Sequence, residues 1–494
     1  MRYISTRDNK AEATAASAIA HGISTEGGLF VPETIPSLNK DDFYKLAKMN
    51  YVERAKYVLS LFLTDFTAEE VDYCCRGAYV GTFDEDKPAP LYSLTDKAQI
   101  LELWHGPTCA FKDLALQILP YLLTTSAKKV ADGKKIVILV ATSGDTGKAA
   151  LEGFKDVADT EIIVFYPSDG VSPMQQRQMA TQSGNNVYVS ALIGNFDDCQ
   201  TGVKTIFTND EIKAALARNN MEFSSANSIN WGRLSPQIVY YVSAYCDLLE
   251  KGADLSEGFN VVVPTGNFGN ILAAYYAKEM GVPINRLICA SNRNNILTDF
   301  LNTGTYDRNR CFYPTVSPSM DILISSNLER MLSELTNRDD EKVNEWMNAL
   351  KNDGKYTVDE ATFAKIKELF YGGFCPEEKT LETVKKTYDE HGYLIDTHTA
   401  VAVSVYNDYV KETGDDRLTV IASTASPYKF AASVSEALGI EISDDEFETV
   451  RKLSTATNTV IPAPLAALES ASVRFTEVCD KDKMAEVVFG RLGI

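Results

Sequence analysis

The chain has 494 residues, of which 45% are hydrophobic and 23% are charged, as is typical of a globular protein of two or three domains. Its formal charge of −20 argues against nucleic acid or an anionic membrane as a partner. The nine cysteines and four histidines lack the spacing of a metal site, so we expect reduced thiols and no bound metal. The start, MRYISTRDNK, has neither a signal nor a transit pattern, and no apolar run is long enough to span a membrane, which favours a cytoplasmic protein.

Short apolar strands alternate with helical segments through the middle of the chain. The predicted strands are residues 136–140, 161–165, 186–190, 260–263, 286–290 and 418–422. The predicted helices are residues 173–182, 199–217, 234–250 and 269–280. Apolar strands without alternation, separated by helices, indicate parallel sheets covered on both faces. We therefore predict an α/β protein with two open parallel-sheet lobes and helices on both faces of each sheet.

Two regions differ from this pattern. The first hundred residues are mixed and helix-rich, and we expect them to form a separate N-terminal lobe. From residue 327 to about residue 392 the chain is charged and lacks convincing strands, while 339–352 and 359–371 have helical periodicity. We interpret this region as a helical insertion that packs against or covers a site. The predicted domains are 1–95, 96–240 and 241–494, with the insertion in the last.

Lys112 lies in ELWHGPTCAFKDLALQ, at the point where a helix is expected to begin. Asp113 could begin or cap that helix. The positive end of the helix dipole favours a neutral lysine, and a neutral amine can form a Schiff base and abstract protons. A surface lysine is the simpler interpretation, but HGPTCAF has too few solubilising residues for an ordinary surface loop.

A glycine turn, PTGNFGN at 264–270, follows an apolar run and precedes a predicted helix. Backbone N–H groups at such a turn form an anion site, aided by the helix dipole. The turn matches neither the dinucleotide nor the nucleoside-triphosphate signature. A lysine amine near an anion-binding loop is what a phosphate-bearing carbonyl cofactor needs, and pyridoxal phosphate is the candidate.

A second GNF tripeptide, in GNFDDCQ at 194–200, serves as an internal comparison. Asp197 and Asp198 follow it directly, and two carboxylates would repel a phosphate. We therefore reject this copy as a phosphate cradle.

Three further segments place polar side chains at the ends of strands or the starts of helices. ATSGDTGKAA at 141–150 offers Ser143, Thr146 and backbone amides to a carboxylate or phosphate. SANSINWGRLSPQ at 225–237 offers Arg233 with neighbouring amides to a second anion, such as a substrate phosphate. IASTASPYKF at 421–430 ends the last strand with Thr424, whose neutral hydroxyl would leave a pyridine nitrogen unprotonated or weakly polarised. Each segment also has a plain interpretation as a helix cap, with Arg233 as a structural arginine.

Together these segments resemble the threonine synthase family of pyridoxal-phosphate enzymes, which have the tryptophan-synthase-β-like fold, or fold type II. YISTR and GISTEGGLFVPETIP resemble the family's opening blocks, and HGPTCAFKD resembles its cofactor-lysine motif. FYPSDGVSPMQQRQM, GNFDDCQ, SANSINWGR, PTGNFGN, SPSMDI and GYLIDTHTAV follow in the family's order. The resemblance spans most of the chain and is closer to the microbial and fungal type than to the plant type.

By position, the resemblance implies that Lys112 is the Schiff-base lysine and proton shuttle. It implies that the cofactor phosphate is held by Gly266, Asn267, Phe268, Gly269 and Asn270. It also implies that Thr424 faces the pyridine nitrogen. It implies that the substrate carboxylate or the cofactor O3′ is bound by Ser143, Gly144, Asp145 and Thr146. The substrate phosphate is expected to be bound by Asn227, Ser228 and Arg233. His105 and Thr108 are expected to line the cofactor without an assigned chemical step.

The sequence departs from the family pattern at three positions. Cys109 stands where a leucine is common, and Thr397 stands where a proline is common, a small change of loop rigidity. Ser426 replaces a frequent histidine in the segment after Thr424, which bears on the choice of substrate.

The resemblance implies conversion of O-phospho-L-homoserine and water into L-threonine and phosphate, by a monomer or homodimer without nucleic acid or membrane partners. Two alternatives stay open. One is a phospho-lyase or dehydratase that uses the same cofactor but releases a 2-oxo acid and ammonia, and product identity separates it from the synthase. The other is a non-catalytic nucleotide- or metabolite-binding protein, which would carry no lysine-linked chromophore.

Overall fold

The computed structural model describes residues 1–84, 87–130, 133–142, 144–168 and 171–494, except for the side chain of Asp197. The predicted site residue Ser143 therefore lies outside the described residues. Within the described ranges, no helix combines the length and the apolar character needed to cross a membrane.

The N-terminal lobe packs helices beside a small antiparallel sheet of strand order β2-β1-β3. Asn39, Asn50 and Thr67 begin three of its helices with reciprocal capping boxes, which satisfy backbone N–H groups that a helix start leaves free. The elements are β1 Tyr3–Ser5, β2 Glu12–Ala13, α1 Ala15–His21, β3 Phe30–Pro32, α2 Lys40–Ala47, α3 Tyr51–Phe62 and α4 Ala68–Tyr79.

The next part of the chain alternates strands and helices. Its elements are β4 Leu91–Ser93, β5 Ala98–Glu102, α5 Asp113–Leu116, α6 Leu119–Val130, β6 Lys135–Ala141, α7 Asp145–Phe154, β7 Thr160–Pro167, α8 Pro173–Ala180, β8 Val187–Leu192, α9 Phe196–Thr208, α10 Asp210–Arg218, β9 Met221–Ser224 and α11 Trp231–Glu250.

The remainder repeats the alternation and adds a helical region. Its elements are β10 Phe259–Pro264, α12 Gly269–Glu279, β11 Ile284–Ser291, α13 Ile296–Thr303, β12 Thr305–Asp307, α14 Leu328–Leu335, α15 Asp340–Asn352, β13 Lys355–Thr357, α16 Glu360–Leu369, β14 Phe370–Phe374, α17 Glu377–His391, α18 Thr397–Thr413, β15 Thr419–Ser423, α19 Ala431–Leu438, α20 Glu446–Thr457, α21 Ala463–Ala466, β16 Val478–Cys479 and α22 Met484–Leu492, with 3₁₀ turns at Pro318–Met320, Pro427–Phe430 and Lys481–Lys483.

Two sheets form the centre of the molecule, and they confirm the predicted α/β architecture. The five-stranded sheet has the order β16-β8-β7-β6-β9 and is parallel throughout. The six-stranded sheet has the order β14-β11-β10-β15-β5-β4, and only its edge strand β4 is antiparallel. The central strands are apolar and buried on both faces because helices cover both sides.

Two predictions about local structure were wrong. The region from 327 to 392 contains strands: β13 pairs with β12, and β14 forms an edge of the six-stranded sheet beside β11. The glycine-rich sequence FYGGF of β14 concealed this strand, because glycine has a low strand propensity. The predicted helix at 199–217 is two helices, since Asn209 ends α9 and its side chain caps α10.

The sheets exchange strands across the predicted domain limits, which remain a prediction. β5, from the segment 96–240, pairs with β15 near the end of the chain, while β16 pairs with β8. The exchange places the loop after β5 beside the carboxyl ends of β15 and β10. In open parallel sheets, ligands bind beyond the carboxyl ends of the strands. The predicted site segments lie at this edge.

Candidate active site

Lys112 lies inside the molecule, so the interpretation as a surface lysine is wrong. Its side chain is 11% exposed, and its Nζ lies 3.5 Å from a carboxylate oxygen of Asp145. The loop before Lys112 is fixed to the end of β15, because Phe111 N donates to Thr424 O at 2.8 Å and Ser426 N donates to Cys109 O at 3.1 Å. This pairing places Thr424, the predicted pyridine contact, one backbone hydrogen bond away from the cofactor-lysine segment.

Burial is the main cause of the lowered pKa of Lys112, and the charges of Lys429 and Arg233 lower it further while Asp145 opposes the shift. The predicted contribution of a helix dipole is small, because α5 has only four residues. Asp113 begins that helix but does not cap it. Its carboxylate instead accepts hydrogen bonds from Thr108 N and Oγ1, at 2.8 and 2.7 Å.

Asp145, at the first position of α7, lies between two lysines. Its Oδ1 is 2.6 Å from Lys429 Nζ and accepts a hydrogen bond from Gln175 Nε2 at 3.0 Å, while its Oδ2 faces Lys112. Burial tends to raise the pKa of Asp145, but Lys429 and Lys112 outweigh it and hold the pKa well below the usual range. The side chain is therefore an anion that holds lysines, and it cannot itself bind a substrate carboxylate.

Ser319 joins the lysine to the glycine turn, and the sequence reasoning did not single it out. Lys112 Nζ donates to Ser319 Oγ at 3.5 Å, and Ser319 Oγ donates to Asp145 Oδ2 at 3.3 Å. Ser319 N donates to Nε2 of His398 at 3.1 Å, and Nδ1 of His398 pairs with Asp396 at 2.7 Å. This arrangement fixes the tautomer of His398 and the position of the Ser319 turn.

The glycine turn after β10 has the properties of an anion site. A Cβ on Gly266 would lie 2.8 Å from Ser319 O, so only glycine fits against the Ser319 turn. Phe268 adopts the left-handed conformation at the start of α12, and its side chain does not cap the helix. Within the described residues, Nδ2 of Asn270 is buried and has no hydrogen-bond partner, while its Oδ1 accepts from Tyr241 OH. Unused donors at a helix N-terminus fit a phosphate group.

The second GNF copy has a different local structure. Asn195 is the N-cap of α9, and its side-chain oxygen accepts a hydrogen bond from Asp198 N. The Asp198 carboxylate in turn accepts a hydrogen bond from Asn195 N. This capping box bonds the backbone N–H groups of Asn195 and Asp198 to side chains, whereas Phe268 at the start of α12 makes no side-chain cap within the described residues. The contrast agrees with the rejection of GNFDDCQ as a phosphate cradle.

Arg233 is a buried cation with few partners. It is 4% exposed, its Nη1 donates to Ala226 O at 2.9 Å, and among the described residues its Nε has no partner. Burial lowers the pKa of Arg233 to about 10. Burying a cation without a paired anion costs free energy, so this position suits the binding of an anionic ligand.

Asn327 connects the Arg233 segment to the glycine turn. Its Nδ2 donates to Ser228 O at 3.1 Å, and its backbone N donates to Asn267 O at 3.1 Å. Ser228 is half-buried and Asn227 is exposed at the same end of α11. The structure thus brings the two proposed anion sites together at one edge.

The remaining predicted residues have supporting contacts. Gly144 has φ +138°, and a Cβ there would lie 2.4 Å from the side chain of Gln175, so this position requires glycine. Thr146 is half-buried in the first turn of α7. Both ring nitrogens of His105 are engaged, by Asp84 at 2.9 Å and Glu102 at 2.8 Å. These contacts give His105 a structural role at the edge of the site.

The raised pKa of Asp113 predicts that the stability of the protein depends on pH. Burial raises the pKa of Asp113 to about 6, against the opposing effect of the Thr108 hydrogen bonds. Because an unfolded aspartate titrates near about 4, this group's contribution to stability is fully present below that pH and is lost as the pH rises through the folded pKa. We expect the wild-type protein to lose stability relative to Asp113→Asn between about pH 4 and about pH 6, the interval between these two pKa values. Denaturant midpoints of both proteins at each pH measure this, and an unchanged difference contradicts the shift.

Comparisons with known proteins agree with this geometry. The family model described as "Pyridoxal-phosphate dependent enzyme" matches residues 100–424, so the chain belongs to that class and its cofactor is pyridoxal phosphate. Two further models, described as "Threonine synthase N terminus" and "Threonine synthase, C-terminal", match residues 2–79 and 399–488. The chain belongs to the threonine synthase family.

Individual relatives support the same assignment. "Threonine synthase" of Saccharomyces cerevisiae is 36% identical over 98% of both chains. "Threonine synthase-like 1" of Pongo abelii is 39% identical over 95% of this chain, but this chain spans only 64% of the length of that relative. The crystal structure of PLP-bound threonine synthase from Brucella melitensis superposes with a TM-score of 0.88 at 36% identity, over 99% of both chains.

Proposed function

We propose that the chain converts O-phospho-L-homoserine and water into L-threonine and phosphate. The observation that carries this proposal is Arg233, a buried guanidinium whose Nε has no partner among the described residues and whose charge acts on Lys112. A site with one reactive amine, one cofactor-phosphate turn and one additional buried cation suits an amino-acid substrate that bears its own phosphate. Membership of the threonine synthase family agrees with that substrate.

The residues of the site fit pyridoxal phosphate. Gly266, Asn267, Phe268, Gly269 and Asn270 would hold its phosphate through the free donors of the turn and of α12, and Thr424 would face its pyridine nitrogen. Lys112 would hold it covalently. When bound, the cofactor supplies a conjugated system that stores the electrons released when protons leave the substrate carbon atoms.

The start of α7 would hold the substrate carboxylate or the cofactor O3′, as proposed for Ser143, Gly144, Asp145 and Thr146. Because the side chain of Asp145 is a buried anion, its contribution comes from its backbone N–H. Asn227, Ser228 and Arg233 would hold the substrate phosphate at the start of α11. The two anions of the substrate would then be bound at the starts of two different helices.

Lys112 would move the protons. Its lowered pKa favours the neutral amine, which accepts the proton from the α-carbon and then takes part in proton transfer at the β-carbon. Ser319 and Asp145, each 3.5 Å from Nζ, hold the amine in place between these positions. Arg233 stabilises the charge of the leaving phosphate, which can in turn accept a proton from the attacking water.

Product identification tests the proposal. The purified protein is incubated with pyridoxal phosphate and O-phospho-L-homoserine, and phosphate, threonine and 2-oxobutanoate are assayed together. We expect threonine and phosphate in equal amounts. Phosphate accompanied by an equal amount of 2-oxobutanoate identifies a phospho-lyase, and the departure at Ser426 makes this second reaction a specific alternative. Release of none of the three contradicts both.

We also propose a cytoplasmic location, a monomer or homodimer, and no partner beyond the small-molecule substrate. All nine cysteines lie in the described part of the chain, and each is a free thiol, which agrees with a reducing compartment. The charge of −20 agrees with the absence of a nucleic-acid partner.

A further inference from the structure

Lys429 is a buried lysine to which neither the sequence reasoning nor the proposed chemistry assigns a role. It is 0% exposed and lies in the 3₁₀ turn Pro427–Phe430 after β15. Its Nζ is 2.6 Å from Asp145 Oδ1 and donates to Thr108 O at 2.8 Å. Burying an ammonium group costs free energy that a packed apolar side chain would not, so a role in packing alone does not account for a lysine here.

Asp145 contacts the two lysines through different oxygen atoms and at different distances. Oδ1 receives the short contact from Lys429, whereas Oδ2 faces Lys112 at the longer distance of 3.5 Å. The single negative charge of Asp145 is therefore balanced mainly by Lys429. Lys112 therefore lies near the carboxylate of Asp145 but is not its main ion-pair partner.

We propose that Lys429 is a positioning residue that acts on Lys112 through Asp145, as the permanent counter-cation that allows Lys112 to be a neutral amine. Without Lys429, the whole charge of Asp145 would act on Lys112 and hold it as an ammonium ion. An ammonium ion can neither bond to a carbonyl cofactor nor accept a proton. Lys429 thus favours the neutral form of Lys112 before any ligand is bound.

The other charged groups around the cluster are consistent with this role. Arg233, on α11, lowers the pKa of Lys112 in the same direction as Lys429 does. Asp113, on α5, and Lys148, on α7, interact with Lys429 at longer range. Asp145 is the one of these groups that raises the pKa of Lys112, so its pairing with Lys429 at 2.6 Å acts in the same direction as burial, the main cause of the lowered pKa.

Ser426 holds the turn that positions Lys429. Ser426 is fully buried, and its backbone O accepts from Lys429 N at 3.1 Å. Its hydroxyl accepts from Tyr428 N at 3.4 Å and so caps the same turn. The residue at which this chain departs from its family is therefore two contacts away from Asp145.

The test measures the protonation of Lys112 in the protein without cofactor or substrate. Brief labelling with acetic anhydride over a range of pH, followed by mass spectrometry of the peptide that contains Lys112, gives the apparent pKa of this one amine. We expect Lys429→Met to raise that pKa by about one unit, so that labelling below it becomes roughly tenfold slower. Asp145→Asn should lower the pKa, and the double variant should lie near the wild type.

Lys148→Met is the matched control, because Lys148 is also buried but is paired with Glu152 at 3.0 Å. It should leave the labelling profile of Lys112 unchanged. Circular dichroism checks that each variant folds, and Lys429→Gln replaces Lys429→Met if the methionine variant does not fold. An unchanged or lowered pKa of Lys112 in the folded variant overturns the proposal. The inference rests on the proposed role of Lys112 but not on the substrate, so a wrong substrate would leave this result unaffected.

Discussion

Lys112→Ala is expected to lower turnover by about 10³-fold or more, because it removes both the covalent anchor of the cofactor and the group that moves protons. The fold should remain, since the side chain of Lys112 contacts Asp145 and Ser319 through its amine, each at 3.5 Å. Removing the Lys112 amine also leaves Asp145 paired with Lys429, so the cluster keeps a balanced charge.

Steady-state kinetics of threonine and phosphate release, together with circular dichroism and thermal unfolding, measure this. Lys97→Ala is the control, because Lys97 is 56% exposed and, among the described residues, forms its one ion pair with the exposed Asp416. It should keep wild-type turnover. Turnover of the Lys112 variant near the wild-type value would show that another group carries the chemistry.

Arg233→Met is expected to lower kcat/KM for the phosphorylated substrate by about 10²-fold or more, since a buried charge that pairs with phosphate is lost. The absorbance of the bound cofactor should be kept, because Arg233 is assigned to the substrate phosphate. The protein without ligands should be as stable as the wild type or more stable. Removing the guanidinium relieves the cost of a buried charge that has one side-chain hydrogen bond among the described residues.

Arg330→Met is the matched comparison. Arg330 is also fully buried, but it donates to Phe30 O at 2.9 Å and to Asn327 Oδ1 and Ile229 O at 2.5 Å. Its loss leaves those acceptors unpaired and should lower stability. Thermal unfolding of both variants without ligand separates the two cases. Loss of cofactor absorbance in Arg233→Met would assign Arg233 to the cofactor phosphate instead.

The centre of the fold could be predicted from sequence because its strands are short, apolar and separated by helices. Residues 136–140 and 260–263 are such strands, and the structure extends each by only a few residues. The strand β5 was not predicted, and neither was β14. Both take their place in the sheet from pairing with β15 and β11, strands distant in the chain, and a local pattern cannot reveal that pairing.

The site shows the same division. Lys112 and the glycine turn could be proposed from the sequence because each has a local signature, a lysine at a helix start and glycines after a strand. Ser319, Lys429 and Gln175 carry no such signature, and they become site residues only where the chain folds them around Asp145. Ser319 lies in SPSMDI and Gln175 lies in FYPSDGVSPMQQRQM, two blocks that resemble the family, whereas Lys429 lies in IASTASPYKF, where Thr424 drew the attention.

Reduction of the pyridoxal-phosphate-loaded protein with sodium borohydride, followed by digestion and mass spectrometry, tests most directly which lysine carries the cofactor. We predict the pyridoxyl group on Lys112 alone, because its amine has a lowered pKa and donates to Ser319, which packs against the glycine turn. Modification of Lys429, the other lysine that touches Asp145, would contradict the assignment and reverse the roles of the two residues.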